Sequence, residues 1–65
     1  MSIYILTISN EEDSFIFPFT TIEKAGEFVQ NNFQHDKPRK VSKELFEGRN
    51  NLYVIHQQAV DQVRI

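Results

Sequence analysis

Only a few side chains in this sequence could hold a metal ion, and they are separated along the chain. The two histidines are His35 and His56, and His35 is followed directly by Asp36. Imidazole and carboxylate groups are both zinc ligands, but zinc sites normally show clustered ligands at fixed spacing. We therefore predict no metal site and no cofactor, with His35 in a solvated loop and His56 as a half-exposed strand residue.

The hydroxyl groups do not indicate nucleophilic catalysis. A catalytic serine needs a neighbouring base that is itself held in place, and the chain contains no nucleophile-elbow motif. The four serines fall at the edges of expected strands and turns, where serine commonly forms caps and turns: Ser2, Ser9, Ser14 and Ser42. The two glycines are far apart, which excludes a glycine-rich loop for phosphate groups. We predict that the protein is not an enzyme.

An acidic segment, Glu11-Glu12-Asp13, is the first of two charged clusters. Catalytic carboxylates need burial or a charged partner to shift their pKa, and a turn offers neither. Calcium-binding loops need alternating oxygen ligands and a glycine, which this segment lacks. We interpret it as a solvated turn, with a contact to a basic partner as its functional alternative.

The second charged cluster is basic and consists of Lys37, Arg39, Lys40 and Lys43. Nucleic-acid binding would require these charges on one surface beside exposed aromatic rings. Tyr4 and Tyr53 could stack on bases if both lay on the open face of a sheet. The net charge of -2 and a pI near 5.5 argue against this function, because phosphate affinity depends on concentrated positive charge. A basic loop in water is the simpler interpretation.

The composition is typical of one small folded domain spanning residues 1–65. A chain of 65 residues buries only about 60% of the surface that it exposes when unfolded. Its six phenylalanines and two tyrosines allow a core to form from few residues. There is no cysteine, and no apolar run is long enough for a signal peptide or a membrane span. We therefore predict a cytoplasmic protein.

The first half of the chain predicts a β-hairpin. Residues 3–8 are apolar at nearly every position, which indicates a central strand. Phe15, Phe17 and Phe19 alternate with other residues and predict a second strand with one heavily buried face. Pro18 cannot donate a ladder hydrogen bond, so this strand should lie at a sheet edge.

A helix should follow the hairpin. Thr20 and Glu23 have the spacing of a capping box, with Thr20 as the N-cap. Apolar residues then recur at helical spacing until the helix ends near Asn32 or Phe33. Gly26 weakens this helix and indicates a place where helix and sheet approach closely.

The second half is more ambiguous. Residues 34–40 read as a polar connection, and residues 41–48 fit either a short helix or a strand and turn; the short helix is preferred because Ser42 and Gly48 resemble its caps. Residues 52–56 predict a strand, and residues 59–65 extend it or add another. The predicted fold class is α+β: a small antiparallel sheet of order β-β-α-(short α)-β with one amphipathic helix on one face.

One family resemblance is present in the middle of the chain. The stretch Ser14-Phe15-Ile16-Phe17-Pro18, followed by Thr21-Ile22-Glu23-Lys24-Ala25, resembles the small RNA polymerase inhibitors of T-odd coliphages. The resemblance covers these segments alone, so it carries no contact residue over to residues 34–65. It implies a small stand-alone domain that acts by docking onto a larger host protein.

The leading functional hypothesis is therefore a non-catalytic module that binds another protein, such as a phage-encoded inhibitor of a host or defence complex. An exposed sheet edge invites strand addition or self-pairing, and a homodimer would support a small core. The binding residues would be the two charged clusters, since opposite charges accelerate encounter. The alternative is a nucleic-acid-binding protein that uses residues 37–43. A membrane partner is not expected.

Overall fold

A computed structural model describes residues 2–59 of the chain. It contains a five-stranded sheet, the helix α1 and a short 3₁₀ turn at Gln34–Asp36. The elements are β1 (Ser2–Ser9), β2 (Ser14–Phe19), α1 (Ile22–Asn32), β3 (Arg39–Ser42), β4 (Leu45–Glu47) and β5 (Leu52–Ala59). The strand order is β2-β1-β5-β4-β3, and every pairing is antiparallel. The predicted α+β fold is confirmed.

The hairpin has the predicted arrangement, with β1 inside the sheet and β2 at its edge. The backbone N–H of Asn10 donates to the carbonyl of Asp13 at 2.9 Å, which makes these two residues a hydrogen-bonded pair. Hydrogen-bonded and non-hydrogen-bonded pairs alternate along an antiparallel ladder. Pro18, opposite Ile5, therefore takes a non-hydrogen-bonded position, and its nitrogen faces away from β1. Pro18 therefore removes no hydrogen bond from the β1–β2 ladder.

The helix begins one residue later than predicted. Thr21 is the N-cap, and its hydroxyl accepts from the backbone N–H of Lys24 at 3.1 Å. The predicted capping box on Thr20 is wrong because β2 continues to Phe19 and the chain needs two residues to leave the sheet. The predicted C-terminal end is confirmed, since α1 ends at Asn32 with Phe33 as its cap.

The preferred short helix over residues 41–48 is also wrong, and the alternative of one strand over residues 41–46 is correct only in part, because a turn at residues 43 and 44 divides the segment into β3 and β4. Residues 39–47 form the β3–β4 hairpin, which has an irregularity between Lys40 and Ser42. The Ser42 hydroxyl accepts from the N–H of Glu44 at 3.2 Å, so it stabilises a turn rather than a helix start. Phe46 lies opposite Tyr53 of β5 and is buried there. Strand pairing thus places a large aromatic ring in the core, which outweighs the local capping signals.

The core lies between α1 and one face of the sheet. Its buried apolar members are Leu6, Ile8, Ala25, Val29, Phe46, Tyr53 and Ile55. Phe17 and Phe19 pack around Phe28 of the helix, with ring centroids 5.0 and 5.3 Å away. Phe15 lies on the same side of the sheet but is 51% exposed, so the predicted burial of all three odd-numbered phenylalanines is wrong at this position.

Two further observations complete the fold. β5 runs beyond the predicted residues 52–56 to Ala59, while the predicted extension through residue 65 lies outside the described residues. Among the elements of residues 2–59, no helix has the length and apolar character required to cross a bilayer.

Candidate functional site

The structure builds a buried polar cluster that the sequence did not reveal. Asp36, at the end of the 3₁₀ turn, is only 1% exposed, and no cationic side chain within residues 2–59 forms an ion pair with it. Its Oδ2 accepts from the Tyr53 hydroxyl at 2.7 Å, and its Oδ1 accepts from the backbone N–H of Asn50 at 2.7 Å. The side-chain amide of Asn51 donates to Oδ2 at 3.3 Å. Dipoles rather than an opposite charge therefore stabilise this carboxylate.

The hydrogen bonds of the cluster lower the pKa of Asp36 and so favour its charged form. Burial by itself raises the pKa of Asp36, but the hydrogen bonds from Tyr53, Asn50 and Asn51 outweigh it and leave the pKa below its model-compound value of 3.8. Burial, followed by the hydrogen bond to Asp36, raises the pKa of Tyr53 to about 12. The pair is therefore a carboxylate and a neutral phenol at neutral pH.

Gly48 completes this cluster from the β4–β5 turn. A Cβ atom built on Gly48 would overlap the carboxylate of Asp36, so only glycine allows the backbone to lie this close. The backbone N–H of Arg49 also donates to the carbonyl of Asp36 at 2.9 Å. These contacts join the segment after α1 to the turn before β5. Asp36 and Tyr53 are almost fully buried, and the contacts of this cluster hold the two loops together.

The histidines lie in separate parts of the fold. His35 is exposed on the 3₁₀ turn, with its ring centroid 6.5 Å from that of Phe33. His56 is exposed on β5, opposite Ile5 of β1. Asp36, the neighbour of His35, points its carboxylate into the buried cluster. Residues 2–59 bring no group of three histidine or acidic side chains together around one point.

The acidic segment forms the β1–β2 turn and is exposed. Asn10 organises it: its Oδ1 accepts from the backbone N–H groups of Glu12 and Asp13, both at 2.8 Å. The side-chain amide of Asn10 also donates to Asn51 Oδ1 at 2.9 Å, which fixes the turn beside the β4–β5 turn. Glu11 shares a surface depression with Arg49 of that turn. The acidic segment is thus a well-ordered corner of the sheet.

The basic cluster does not form one surface. Arg39 pairs with Glu47 across the hairpin at 3.0 Å, and both side chains are largely exposed. Lys40 lies opposite Phe46, which places it on the helix side of the sheet, while Lys43 is in the β3–β4 turn. Lys37 follows the 3₁₀ turn in a left-handed conformation, with φ of 51°. The structure therefore divides the four basic residues between two sides of the sheet and a loop.

The two tyrosines do not supply the exposed stacking surface that nucleic-acid binding would need. Tyr53 lies opposite Ile8, on the helix side, and is fully buried. Tyr4 is opposite Phe19 on the same side and packs against the core. The suggestion that they share the open face of the sheet is wrong, because the register turns both toward α1.

The other side of the sheet carries aliphatic side chains among polar ones such as Thr7 and His56, and no helix within residues 2–59 packs on it. Register places Ile16 opposite Thr7, and Thr7 opposite Val54, in one row across three strands. Leu45 continues this row beyond Val54. We call this surface the open face; its apolar members are Ile3, Ile5, Ile16, Pro18, Leu45, Leu52 and Val54. No element within residues 2–59 covers it. The alternation along β1 could have signalled this face, since Ile3 and Ile5 alternate with the core residues Leu6 and Ile8.

Both sheet edges are poorly suited to strand addition. On β2, the outward-facing positions are Ser14, Ile16 and Pro18, and the proline has no N–H to offer a new strand. On β3, the ladder is irregular between Lys40 and Ser42, and charged side chains flank it. Such features are common protections of edge strands. The edge-based part of the functional hypothesis thus has less support than the open face.

Comparison with known proteins adds no relative. No protein-family model matches the chain, and neither the curated proteins nor the solved structures include a significant match to it.

Proposed function

We propose that this protein is a non-catalytic module that binds another protein through its open face. The observation that carries the proposal is the set of aliphatic side chains Ile16, Val54 and Leu45, which lie in one row with Thr7 on the side of the sheet that no helix within residues 2–59 covers. Ile16 is 66% exposed and Leu52 is 40% exposed, which is unusual for large aliphatic side chains on a sheet. Contiguous exposed apolar patches commonly mark protein interaction sites.

The dimensions of the molecule fit such a role. Its principal extents are 42, 25 and 17 Å, and the smallest of them accommodates one sheet and one helix layer. A face bounded by the two longer dimensions offers enough area for a standard interface, which takes roughly 800 Å² from each partner. An antiparallel sheet with one solvated face normally carries polar residues there. The aliphatic residues of the open face depart from that pattern, which favours a partner surface that is itself apolar.

The charged regions would guide this contact rather than supply its affinity. The acidic turn at residues 11–13 and the basic residues near the β3–β4 turn lie at different places on the molecule. Charges of this kind mainly raise the rate of encounter and set orientation. Together with the resemblance of residues 14–25 to coliphage polymerase inhibitors, they support a cytoplasmic inhibitor of a larger host complex as the biological form of this activity.

Two neighbouring residues of β2 allow a matched test. Ile16 and Phe15 are both more than half exposed, but they lie on opposite sides of the same strand. The protein, immobilised, is used to capture partners from a nuclease-treated host lysate, and a captured protein is then purified for titration calorimetry. Ile16→Thr should weaken binding at least about fivefold, because an interface residue that anchors a partner contributes more than about 1 kcal/mol. Phe15→Thr should leave the affinity within about twofold of the wild type.

The proposal fails if the two variants weaken binding equally, or if a parallel capture from untreated lysate yields nucleic acid and no protein. Size-exclusion chromatography with light scattering precedes the capture. A dimer that Ile16→Thr converts to a monomer would identify a second copy of the chain as the partner of the open face. Thermal unfolding of both variants verifies that each is folded under the conditions of the binding assay.

A further inference from the structure

A groove lies on the helix side of the sheet, away from the open face. The helix packs against β1, β2 and β5, so the β3–β4 hairpin extends beyond it. The space between them has a volume of about 410 Å³, which falls in the range of small binding pockets, roughly 300–1,000 Å³. Ile22, Gly26 and Phe46 form its apolar floor. The groove exists because the one α-helix within residues 2–59 packs on three of the five strands and leaves the β3–β4 hairpin uncovered.

Gly26 keeps the floor of this groove open. It lies inside α1, where glycine is about 1 kcal/mol less favourable than alanine. A Cβ built on Gly26 would be 3.4 Å from Cζ of Phe46, which is an ordinary van der Waals distance. Packing therefore allows alanine, and the φ of Gly26 is not positive. The glycine lowers helix stability, and the space that an alanine methyl group would take lies in the floor of the groove beside Phe46, which is itself only 3% exposed.

The two walls of the groove carry opposite charges. Glu23 and Glu27 lie four residues apart along α1, and Lys40 and Lys43 face them from the hairpin. Within the described part of the chain the only ion pair joins Arg39 and Glu47, so these four groups do not neutralise one another by direct contact. The groove therefore presents a negative wall, an apolar floor and a positive wall.

We infer that this groove binds a peptide segment of a partner protein in which an apolar side chain lies between a basic and an acidic residue. The apolar side chain would occupy the floor against Phe46. The basic residue would lie against Glu23 and Glu27, and the acidic residue against the two lysines. Adjacent side chains of an extended peptide point to opposite faces, while side chains two positions apart share a face and are about 7 Å apart, so the basic and acidic residues lie two positions before and after the apolar residue. The site does not depend on the open face, because it is on the other side of the sheet.

The test uses a displayed library of random heptapeptides, selected on the immobilised full-length chain. Selected peptides should contain an apolar residue with a basic residue on one side and an acidic residue on the other. When the tightest-binding selected peptide is titrated into the protein, the backbone amide NMR resonances of Gly26 and its neighbours should shift. Gly26→Ala should weaken this binding at least tenfold while raising the unfolding temperature. Lys24→Ala, on the same helix outside the groove, is the matched control and should bind as the wild type does.

A charge-exchanged variant tests the assignment of the two walls. It carries Glu23→Lys and Glu27→Lys together with Lys40→Glu and Lys43→Glu, so the net charge stays the same. This variant should prefer the peptide in which the basic and acidic residues are exchanged, with the preference reversed about tenfold or more. The inference is overturned if selection yields no oppositely charged flanks, if Gly26→Ala binds as tightly as the wild type, or if the folded exchange variant keeps the original preference.

Discussion

The hydrogen bond between Tyr53 and Asp36 provides the sharpest test of how this fold is held together. The variant Tyr53→Phe removes one hydroxyl and keeps the aromatic ring that packs in the core. The lost bond is 2.7 Å long, is buried and has a charged acceptor. Hydrogen bonds to charged groups contribute about 1.5–3 kcal/mol to stability, so we expect a loss of about 2 kcal/mol near neutral pH.

This loss should be easy to measure in so small a protein. For a domain of 60–100 residues, 1 kcal/mol changes the unfolding temperature by about 4–8 °C, which predicts a decrease of roughly 8–16 °C. The assay is thermal unfolding followed by circular dichroism, together with urea unfolding to obtain the free energy. Tyr4→Phe is the control, because no hydrogen bond of the Tyr4 hydroxyl is present among residues 2–59. It should change stability by less than about 0.5 kcal/mol.

The pH dependence separates this explanation from a simple packing defect. The pKa of Asp36 is lower in the folded protein than its ordinary value of 3.8, so its contribution to stability is present above that value and is lost as the pH falls through the folded pKa. Removing the Tyr53 hydroxyl removes one of the bonds that lower this pKa. The variant should therefore begin to lose stability at a higher pH than the wild type does.

The stability difference between wild type and Tyr53→Phe should be largest near neutral pH and should shrink as the pH falls well below the folded pKa of Asp36, where this carboxyl group is protonated in both proteins. Two results would refute the reasoning. One is an unfolding temperature within about 2 °C of the wild type near neutral pH. The other is a difference that stays constant across the acid range, since a packing defect would not depend on the charge of Asp36.

Three further predictions concern local features of the fold. Gly48→Ala should cost more than about 3 kcal/mol or prevent folding, as judged by urea unfolding, because the added Cβ would overlap the carboxylate of Asp36. The raised pKa of Tyr53, about 12 against an ordinary 10.0, means that folding favours the neutral phenol. Ionisation of the Tyr53 hydroxyl should not affect stability below about pH 10, but the free energy of unfolding should fall by about 3 kcal/mol as the pH rises through 12. Unfolding measured at a series of alkaline pH values tests this, and the decrease should be absent in Tyr53→Phe. Thr21→Ala should lower the free energy of unfolding by about 1 kcal/mol, and Thr20→Ala should lower it much less. Equal losses of the two variants in chemical unfolding would contradict the N-cap at Thr21.

Local patterns were enough to predict the first half of the fold. The apolar run at residues 3–8 indicated a central strand, and Pro18 indicated an edge, because apolar side chains at nearly every position and the loss of an N–H are properties of the residues themselves. The helix at residues 22–32 followed from its apolar spacing. Even here the N-cap moved from Thr20 to Thr21, since the length of β2 decides where the chain can leave the sheet.

The tertiary structure decided what the local patterns left open. Residues 41–48 carry cap-like residues for a short helix, yet they form a hairpin because Phe46 finds a buried position opposite Tyr53. Phe15 follows the same alternation as Phe17, yet it remains half exposed because the aromatic cluster around the helix ends before it.

The candidate sites depended most on contacts between distant parts of the chain. The sequence pattern placed Asp36 in a polar connection and allowed Tyr53 a stacking role only on the open face of the sheet, and no local signal joins the two residues. They become a buried carboxylate and its donor only when the 3₁₀ turn meets the β4–β5 turn. The open face and the groove likewise depend on the strand order. This order gives a sheet that is wider than α1, the one α-helix within residues 2–59, can cover. Residue types alone determined that such a sheet and helix would form, while the surfaces left uncovered were set by how the strands pair.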